Sequence, residues 1–205
     1  MPRREPVLTR RGLLAASAAL LGTPSVRAEA AIPSRPDVIL SGGGRRAVEG
    51  FRFANYRGHF PFWSPGWGDV LAGRPVGSGA VPAQGTLLDA FASAGYATAF
   101  AASPVAGSRA KPHLIVVLHA VDPDVAGNAI LISLPPLRAS SADGLVVRMP
   151  GGKAASGSSD VPMNPLDIAP TVCGLAGVPG SPAFVGRDYS ALVPGVSMTV
   201  TEGQG

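Results

Sequence analysis

Short apolar runs alternate with turn signals along the chain. Five such runs, rich in β-branched or aromatic residues, predict strands. They lie at residues 37–41, 97–101, 113–119, 129–133 and 145–148. Apolar residues at helical spacing over residues 86–94 predict a helix that ends at Gly95, and Asn164 followed by Pro165 predicts the start of another. Strands that alternate with helices predict an α/β fold, with a mixed, mostly parallel sheet flanked by helices.

Two features modify this pattern. Residues 151–159 are rich in Gly, Ser and Ala, so we expect a loop with little to pack. Pro170 stands about one turn into the second helix and is expected to shorten or bend it.

Residues 1–30 have the pattern of a twin-arginine export signal. Thr9-Arg10-Arg11-Gly12-Leu13-Leu14 leads into an apolar run that ends at Leu21, which is shorter than the ~20 residues that span a bilayer. Ala28-Glu29-Ala30 gives the small residues that a signal peptidase requires, so we expect cleavage after Ala30. The export machinery is therefore one predicted partner. The expected location is the bacterial periplasm or beyond, with residues 31–205 as one domain that has no transmembrane segment.

Charge gives no support for a nucleic-acid partner. Five of the 17 Lys and Arg residues lie in residues 1–30, and the remainder of the chain has 12 basic and 11 acidic residues. The basic pI therefore belongs to the precursor. Cys173 is the only cysteine and lies in an apolar run, so it cannot form an intramolecular disulfide and is interpreted as a small core residue.

Several segments resemble the sulfatases of the alkaline-phosphatase superfamily. Similar segments are Arg35-Pro36-Asp37-Val38-Ile39-Leu40, Gly95-Tyr96-Ala97-Thr98-Ala99-Phe100, Leu145-Val146-Val147-Arg148-Met149-Pro150-Gly151, Pro165-Leu166-Asp167-Ile168-Ala169-Pro170-Thr171 and Gly186-Arg187-Asp188-Tyr189-Ser190-Ala191-Leu192. The resemblance implies a shortened sulfatase-like fold in which these segments are scaffold without a catalytic group.

The residues that would carry sulfatase chemistry are missing at the matching positions. Trp63 stands where the family has the cysteine that becomes formylglycine, and Trp67 stands where it has the arginine. The family also implies a calcium ion, whose ligands are absent here, since Gly42-Gly43-Gly44-Arg45-Arg46 and Ser133-Leu134-Pro135 replace the two halves of its site. Residues 102–107 lack the lysine and histidine that would contact sulfate. We therefore expect no sulfatase turnover and predict no cofactor.

Three functions remain open. The first is a catalytically inactive, exported, sulfatase-like module that binds an unidentified ligand or protein or has a structural role. The second is a hydrolase of sulfate or phosphate esters with a non-standard site at His119, Asp122 and Asp124, which follow a predicted strand. A polar turn that closes the strand is the simpler interpretation of these three residues, and their convergence on one metal ion is disfavoured because they share one short turn.

The third is recognition by the aromatic segment of residues 59–67. Its candidate binding residues are Phe60, Phe62, Trp63 and Trp67. Aromatic side chains stack on sugars and anchor protein interfaces. Equally, they could fill the space that a lost metal site leaves.

Overall fold

A seven-stranded sheet forms the centre of the structure, a computed structural model that describes residues 35–42, 49–58, 66–77, 80–101, 111–122, 124, 126, 128–135, 144–152 and 156–196. The strands are β1 (Val38–Ser41), β2 (Phe51–Phe53), β3 (Ala97–Ala101), β4 (His113–Val117), β5 (Ile130–Ser133), β6 (Leu145–Arg148) and β7 (Gly157–Ser159). Their order in the sheet is β3-β4-β1-β5-β6-β2-β7. Neighbours pair in parallel except at β5–β6 and β2–β6, so β6 alone runs in the opposite direction.

Three described helices flank this sheet: α1 (Trp67–Ala72), α2 (Leu87–Ser93) and α3 (Ile168–Ala176). One-turn 3₁₀ helices occur at Pro150–Gly152, Pro165–Asp167 and Ser190–Leu192. The mixed, mostly parallel sheet with flanking helices confirms the predicted fold class.

The two faces of the sheet are covered differently. Alternate strand residues such as Leu40, Val116 and Ile132 form one core together with the buried residues of all three described helices. The other face carries a smaller core that includes Ile39, Ile115 and Leu131, and in the described part of the chain Val121, Ala126 and Ala129 cover it. In the described residues, the helices therefore pack on one side of the sheet.

The predicted helix boundaries agree with the structure to within a few residues. Thr86 caps α2 by accepting a hydrogen bond from the amide of Asp89, and Gly95 follows the helix with a positive φ of 89°. Asn164 accepts a hydrogen bond from the amide of Leu166, and Pro165 occupies the first position of the 3₁₀ turn that leads into α3. Pro170 lies in the first turn of α3, where a missing amide proton costs no helical hydrogen bond, so α3 continues to Ala176.

One expectation was wrong in part. Within the predicted loop of residues 151–159, Gly157–Ser159 forms β7, which pairs in parallel with β2. Two of its three residues are exposed, so backbone hydrogen bonds to β2 hold it in the sheet, and side-chain burial contributes little. Among the described residues, no helix has both the length and the apolar character needed to cross a membrane.

Candidate functional site

The carboxyl ends of four neighbouring parallel strands meet at one edge of the sheet. Ser41 at the end of β1 lies in register with Val117 of β4 on one side and with Ser133 of β5 on the other. Ala101 of β3 is in register with Val117. Ligands of α/β sheets bind outside the carboxyl ends of the strands, so this edge is the first place to look for a site.

Ser41 lies at the centre of this edge, with only 1% of its surface exposed. Its Oγ donates a hydrogen bond to the carbonyl of His119 at 2.9 Å and accepts one from the amide of Val121 at 3.1 Å. The hydroxyl proton and one lone pair are thus engaged by the backbone. Ser41 therefore fixes the chain that follows β4 and is not placed as a nucleophile.

That chain is the carboxyl-edge turn, defined here as residues 118–122 with Asp124. His119 and Asp124 are exposed, and Asp122 is half-buried. The Oδ1 atom of Asp122 accepts a hydrogen bond from the amide of Asp124 at 3.0 Å, which is a local turn-forming contact. The three candidate residues thus lie on one turn at the carboxyl edge, as their position after β4 predicts.

The described residues contain no group of three or more His, Cys, Asp or Glu side chains arranged to hold a metal ion. The histidine at the start of β4 does not lie at the carboxyl edge. His113 begins β4 at the opposite edge, where its amide donates to Asp37 Oδ1 at 2.7 Å and its Nδ1 lies 3.7 Å from the same oxygen.

Trp67 is the one residue of the predicted aromatic binding set within the described part of the chain. It is the first residue of α1 and is partly buried against the larger core. A Cβ atom added to Gly42 would overlap the Trp67 ring at Cζ2 and would lie 3.4 Å from the carbonyl oxygen of Leu118. The indole therefore lies over Gly42 at the carboxyl edge, beside the carboxyl-edge turn. Phe60, Phe62 and Trp63 lie outside the described residues.

A second polar region is the C-terminal block of residues 164–190, which includes two of the five segments noted above for their resemblance to sulfatases, residues 165–171 and most of residues 186–192. Asp167 is 3% exposed, yet both of its carboxylate oxygens accept backbone hydrogen bonds. Oδ2 accepts from the amide of Asn164 at 2.9 Å, and Oδ1 accepts from the amide of Arg187 at 2.8 Å. Burial raises the pKa of Asp167 above its ordinary value, while the two amides and the Arg187 guanidinium oppose that rise.

Thr171 makes the second connection within the C-terminal block. Its hydroxyl donates to the carbonyl of Arg187 at 3.3 Å and accepts from the amide of Tyr189 at 3.1 Å. Two glycines allow this close approach, because a Cβ on Gly186 would overlap the carbonyl of Leu166 and a Cβ on Gly174 would overlap Ser190 and Asp188. Asp167 and Thr171 thus tie the segment of residues 186–190 to α3, which is a scaffold role.

The sequence did not single out two of the buried polar residues. Ser41 has no pattern around it that predicts a bridging role, and Asp69 lies in α1 as a fully buried carboxylate. The oxygens of Asp69 accept from the amides of Gly66 and Val76, both at 2.7 Å. The available signal is an acidic residue three positions after a glycine that precedes a helix. At the third helical position, a carboxylate can accept a hydrogen bond from the amide of the residue that caps the helix.

Comparisons of the chain with protein-family models, with curated proteins and with solved structures found no match.

Proposed function

We propose that the chain is an exported, sulfatase-like protein without catalytic turnover, which acts as a binding or structural module. The observation that carries this proposal is the use of four buried polar side chains among the described residues. Ser41, Asp69, Asp167 and Thr171 all direct their oxygens at backbone groups of the same chain. Catalytic groups instead keep a lone pair or proton free for the substrate.

The proposal that the chain is sulfatase-like is supported by a contrast between two sets of positions, the segments that resemble a sulfatase and the positions where sulfatases have catalytic residues. The segments that resemble a sulfatase include the bonded pair Asp167 and Arg187 in the C-terminal block. The positions where sulfatases have a nucleophile and metal ligands hold Trp63, Trp67, Gly42 and Ser133-Leu134-Pro135. None of these side chains supplies a carboxylate for calcium or a thiol for oxidation to formylglycine.

Export to the bacterial periplasm or beyond is supported by the paired arginines and the apolar run of the signal. Replacing Arg10 and Arg11 with lysine should leave the protein in the cytoplasm, because the twin-arginine route is selective for the guanidinium pair. Fractionation of cells that express the two forms measures this. Equal export of both forms would contradict the proposed route.

Trp67 gives the proposed module a place to bind. Its indole lies at the carboxyl edge with part of its surface exposed, and it belongs to the aromatic segment of residues 59–67. An aromatic face at that position suits a sugar ring, an apolar ligand or a protein anchor. The same ring also packs against the core, so a binding role must be separated from a stability role.

The alternative function is ester hydrolysis by the carboxyl-edge turn. The observation that favours it is the exposure of His119 and Asp124 at the end of a buried strand, where they are open to a substrate. Against it, Asp122 already accepts a hydrogen bond from the amide of Asp124. The Ser41 hydroxyl, 2.9 Å from the carbonyl of His119, is engaged by backbone groups on both its donor and its acceptor side.

Hydrolysis of chromogenic aryl sulfate and aryl phosphate esters separates the two functions. The purified protein is assayed with calcium, magnesium, manganese or zinc, beside a heat-denatured sample. We expect no turnover above the denatured sample with any metal. Metal-dependent turnover that is lost in His119→Ala and kept in His113→Ala, the histidine at the other end of the same strand, would establish the alternative.

A further inference from the structure

The two outermost strands of the sheet, β7 and β3, differ in their protection against pairing with a further strand. At one edge, β7 has three residues and is made of Gly and Ser. At the other edge, β3 has five residues, Ala97 to Ala101, and contains no charged residue, proline or glycine. Lysine, proline, short length and bulges are the usual devices that prevent edge pairing, and the sequence of β3 has none of the first three.

The outer side of β3 is open in the described part of the chain. β4 pairs with one side of β3, and no described strand pairs with the other. Thr98, Ala99 and Phe100 are all exposed, although consecutive residues of a strand point to opposite faces. Within the residues that the structure describes, both faces of this strand are therefore accessible along with its edge.

The side chains of β3 are arranged by size. Thr98 and Phe100 lie in register with Leu114 and Val116, which belong to the helix-covered face, whereas Ala97, Ala99 and Ala101 lie on the opposite face. Phe100 is 50% exposed, and Leu118, directly after the neighbouring strand β4, is 55% exposed. The open edge thus has an apolar side chain on one face and only methyl groups on the other.

We infer that β3 pairs antiparallel with β3 of a second copy of this chain, about a two-fold axis at Ala99. The Ala-Thr-Ala-Phe-Ala sequence is complementary to itself in that register. Phe100 then lies opposite the partner's Thr98, a favourable aromatic to β-branched pair, and alanine lies opposite alanine on the other face. A two-fold axis places the same patch on both subunits, and identical copies with no charge in the paired strand do not repel each other there.

This inference rests on the proposed function and names a partner for the module. The two copies would form one continuous sheet of fourteen strands, twice the seven of one copy. Main-chain hydrogen bonds and the Phe100 contacts would hold it together, as in strand addition generally.

Sedimentation of the purified wild-type protein tests the pairing. We expect a reversible dimer with twice the mass of one chain. Phe100→Lys, which puts like charges at the paired edge, should raise the dissociation constant by about tenfold or more. Ser158→Lys places the same charge on the exposed β7 edge and should leave dimerisation unchanged. A monomeric wild type, or equal loss in both variants, would overturn the inference.

A cysteine pair tests the register. In the inferred dimer, Ala99→Cys places two thiols directly opposite each other, within reach of a disulfide. In Ala97→Cys, the residue facing each new thiol is the partner's Ala101, and the two thiols are about 13 Å apart. Oxidation should cross-link Ala99→Cys into a covalent dimer and leave Ala97→Cys and wild type, whose Cys173 is buried, as single chains. Equal cross-linking of both variants would rule out this pairing.

The ester hydrolysis assay reports separately on the proposed function. Absence of turnover with a monomeric wild type would retain the inactive module and overturn the dimer. Turnover from a dimer would retain the pairing and overturn the inactive module.

Discussion

The C-terminal block and the carboxyl-edge turn are both rich in polar residues, yet they use them in opposite ways. In the C-terminal block, Asp167 is buried and each of its oxygens accepts a backbone amide. In the carboxyl-edge turn, His119 and Asp124 are exposed, and the buried group that holds the turn is the hydroxyl of Ser41 from a neighbouring strand. The polar side chains of the C-terminal block thus stabilise the fold through buried hydrogen bonds, whereas His119 and Asp124 of the carboxyl-edge turn are exposed to solvent.

Under the function proposed above, this contrast accounts for the presence of sulfatase-like scaffold segments without sulfatase chemistry. Removing Asp167 would leave the amides of Asn164 and Arg187 without their acceptor, and an unsatisfied buried amide is costly, so the fold would lose stability. Side chains exposed to water carry little such constraint, and their replacement leaves the fold nearly unchanged. Substitutions in the two regions should therefore change the free energy of unfolding by different amounts, which denaturation can measure.

Gly186→Ala should have the largest effect among the glycine substitutions. Its Cβ would overlap the carbonyl of Leu166 and lie 2.8 Å from the amide nitrogen of Asp167, and backbone atoms cannot turn aside as a side chain can. We expect the free energy of unfolding to fall by about 3 kcal/mol, measured by urea denaturation. Gly180→Ala, whose Cβ would make an ordinary 3.5 Å contact with Phe184, is the matched control and should stay near wild type. Equal loss in both variants would contradict the packing described for the C-terminal block.

Alkaline pH should lower the free energy of unfolding because Cys173 is buried in the C-terminal block. Burial, with a smaller contribution from the charge of Asp188, raises the pKa of the Cys173 thiol from 9.0 to about 12. The unfolded chain therefore loses this proton above about pH 9 while the folded chain retains it, so stability falls as pH rises from 9 towards 12.

The expected loss from Cys173 is about 2 kcal/mol between pH 9 and pH 11. Urea denaturation at several pH values measures it as the difference in slope between wild type and Cys173→Ala. Tyr56 and Tyr96, whose pKa values burial also raises, contribute equally to both proteins. Identical slopes would show that the thiol is not buried as described.

Gly42→Ala tests whether the Trp67 ring is part of the carboxyl edge. The added Cβ would displace the indole, so we expect a loss of about 2 kcal/mol. The loss should nearly vanish when the same change is made in Trp67→Ala, because the space above residue 42 is then open. Additive losses in the double variant would contradict the contact between Trp67 and residue 42.

Ser41→Ala should cost about 1 to 2 kcal/mol, because the amide of Val121 and the carbonyl of His119 lose a buried partner. Amide hydrogen exchange should accelerate at Val121. Ser158→Ala, at an exposed position of β7, should change neither quantity. Unchanged exchange at Val121 in Ser41→Ala would mean that the hydroxyl does not hold the turn.

The sequence predicted the central strands because burial on both faces makes them continuous apolar runs, as in Val38–Ser41 and Ile130–Ser133. It did not predict Gly157–Ser159 as a strand, because only backbone pairing with β2 places those residues in the sheet. The position of the carboxyl-edge turn follows from its place after β4. The bridge from Ser41 could not be predicted, since it joins residues 78 and 80 positions apart.

The most direct test of the contrast is the free energy of unfolding of Asp167→Ala beside that of His119→Ala, both measured by urea denaturation at neutral pH. The account predicts a loss of about 3 kcal/mol for Asp167→Ala, because two buried amides lose their acceptor. It predicts a change within about 0.5 kcal/mol for His119→Ala, because that side chain is exposed. Equal effects, or a larger loss for His119→Ala, would contradict it.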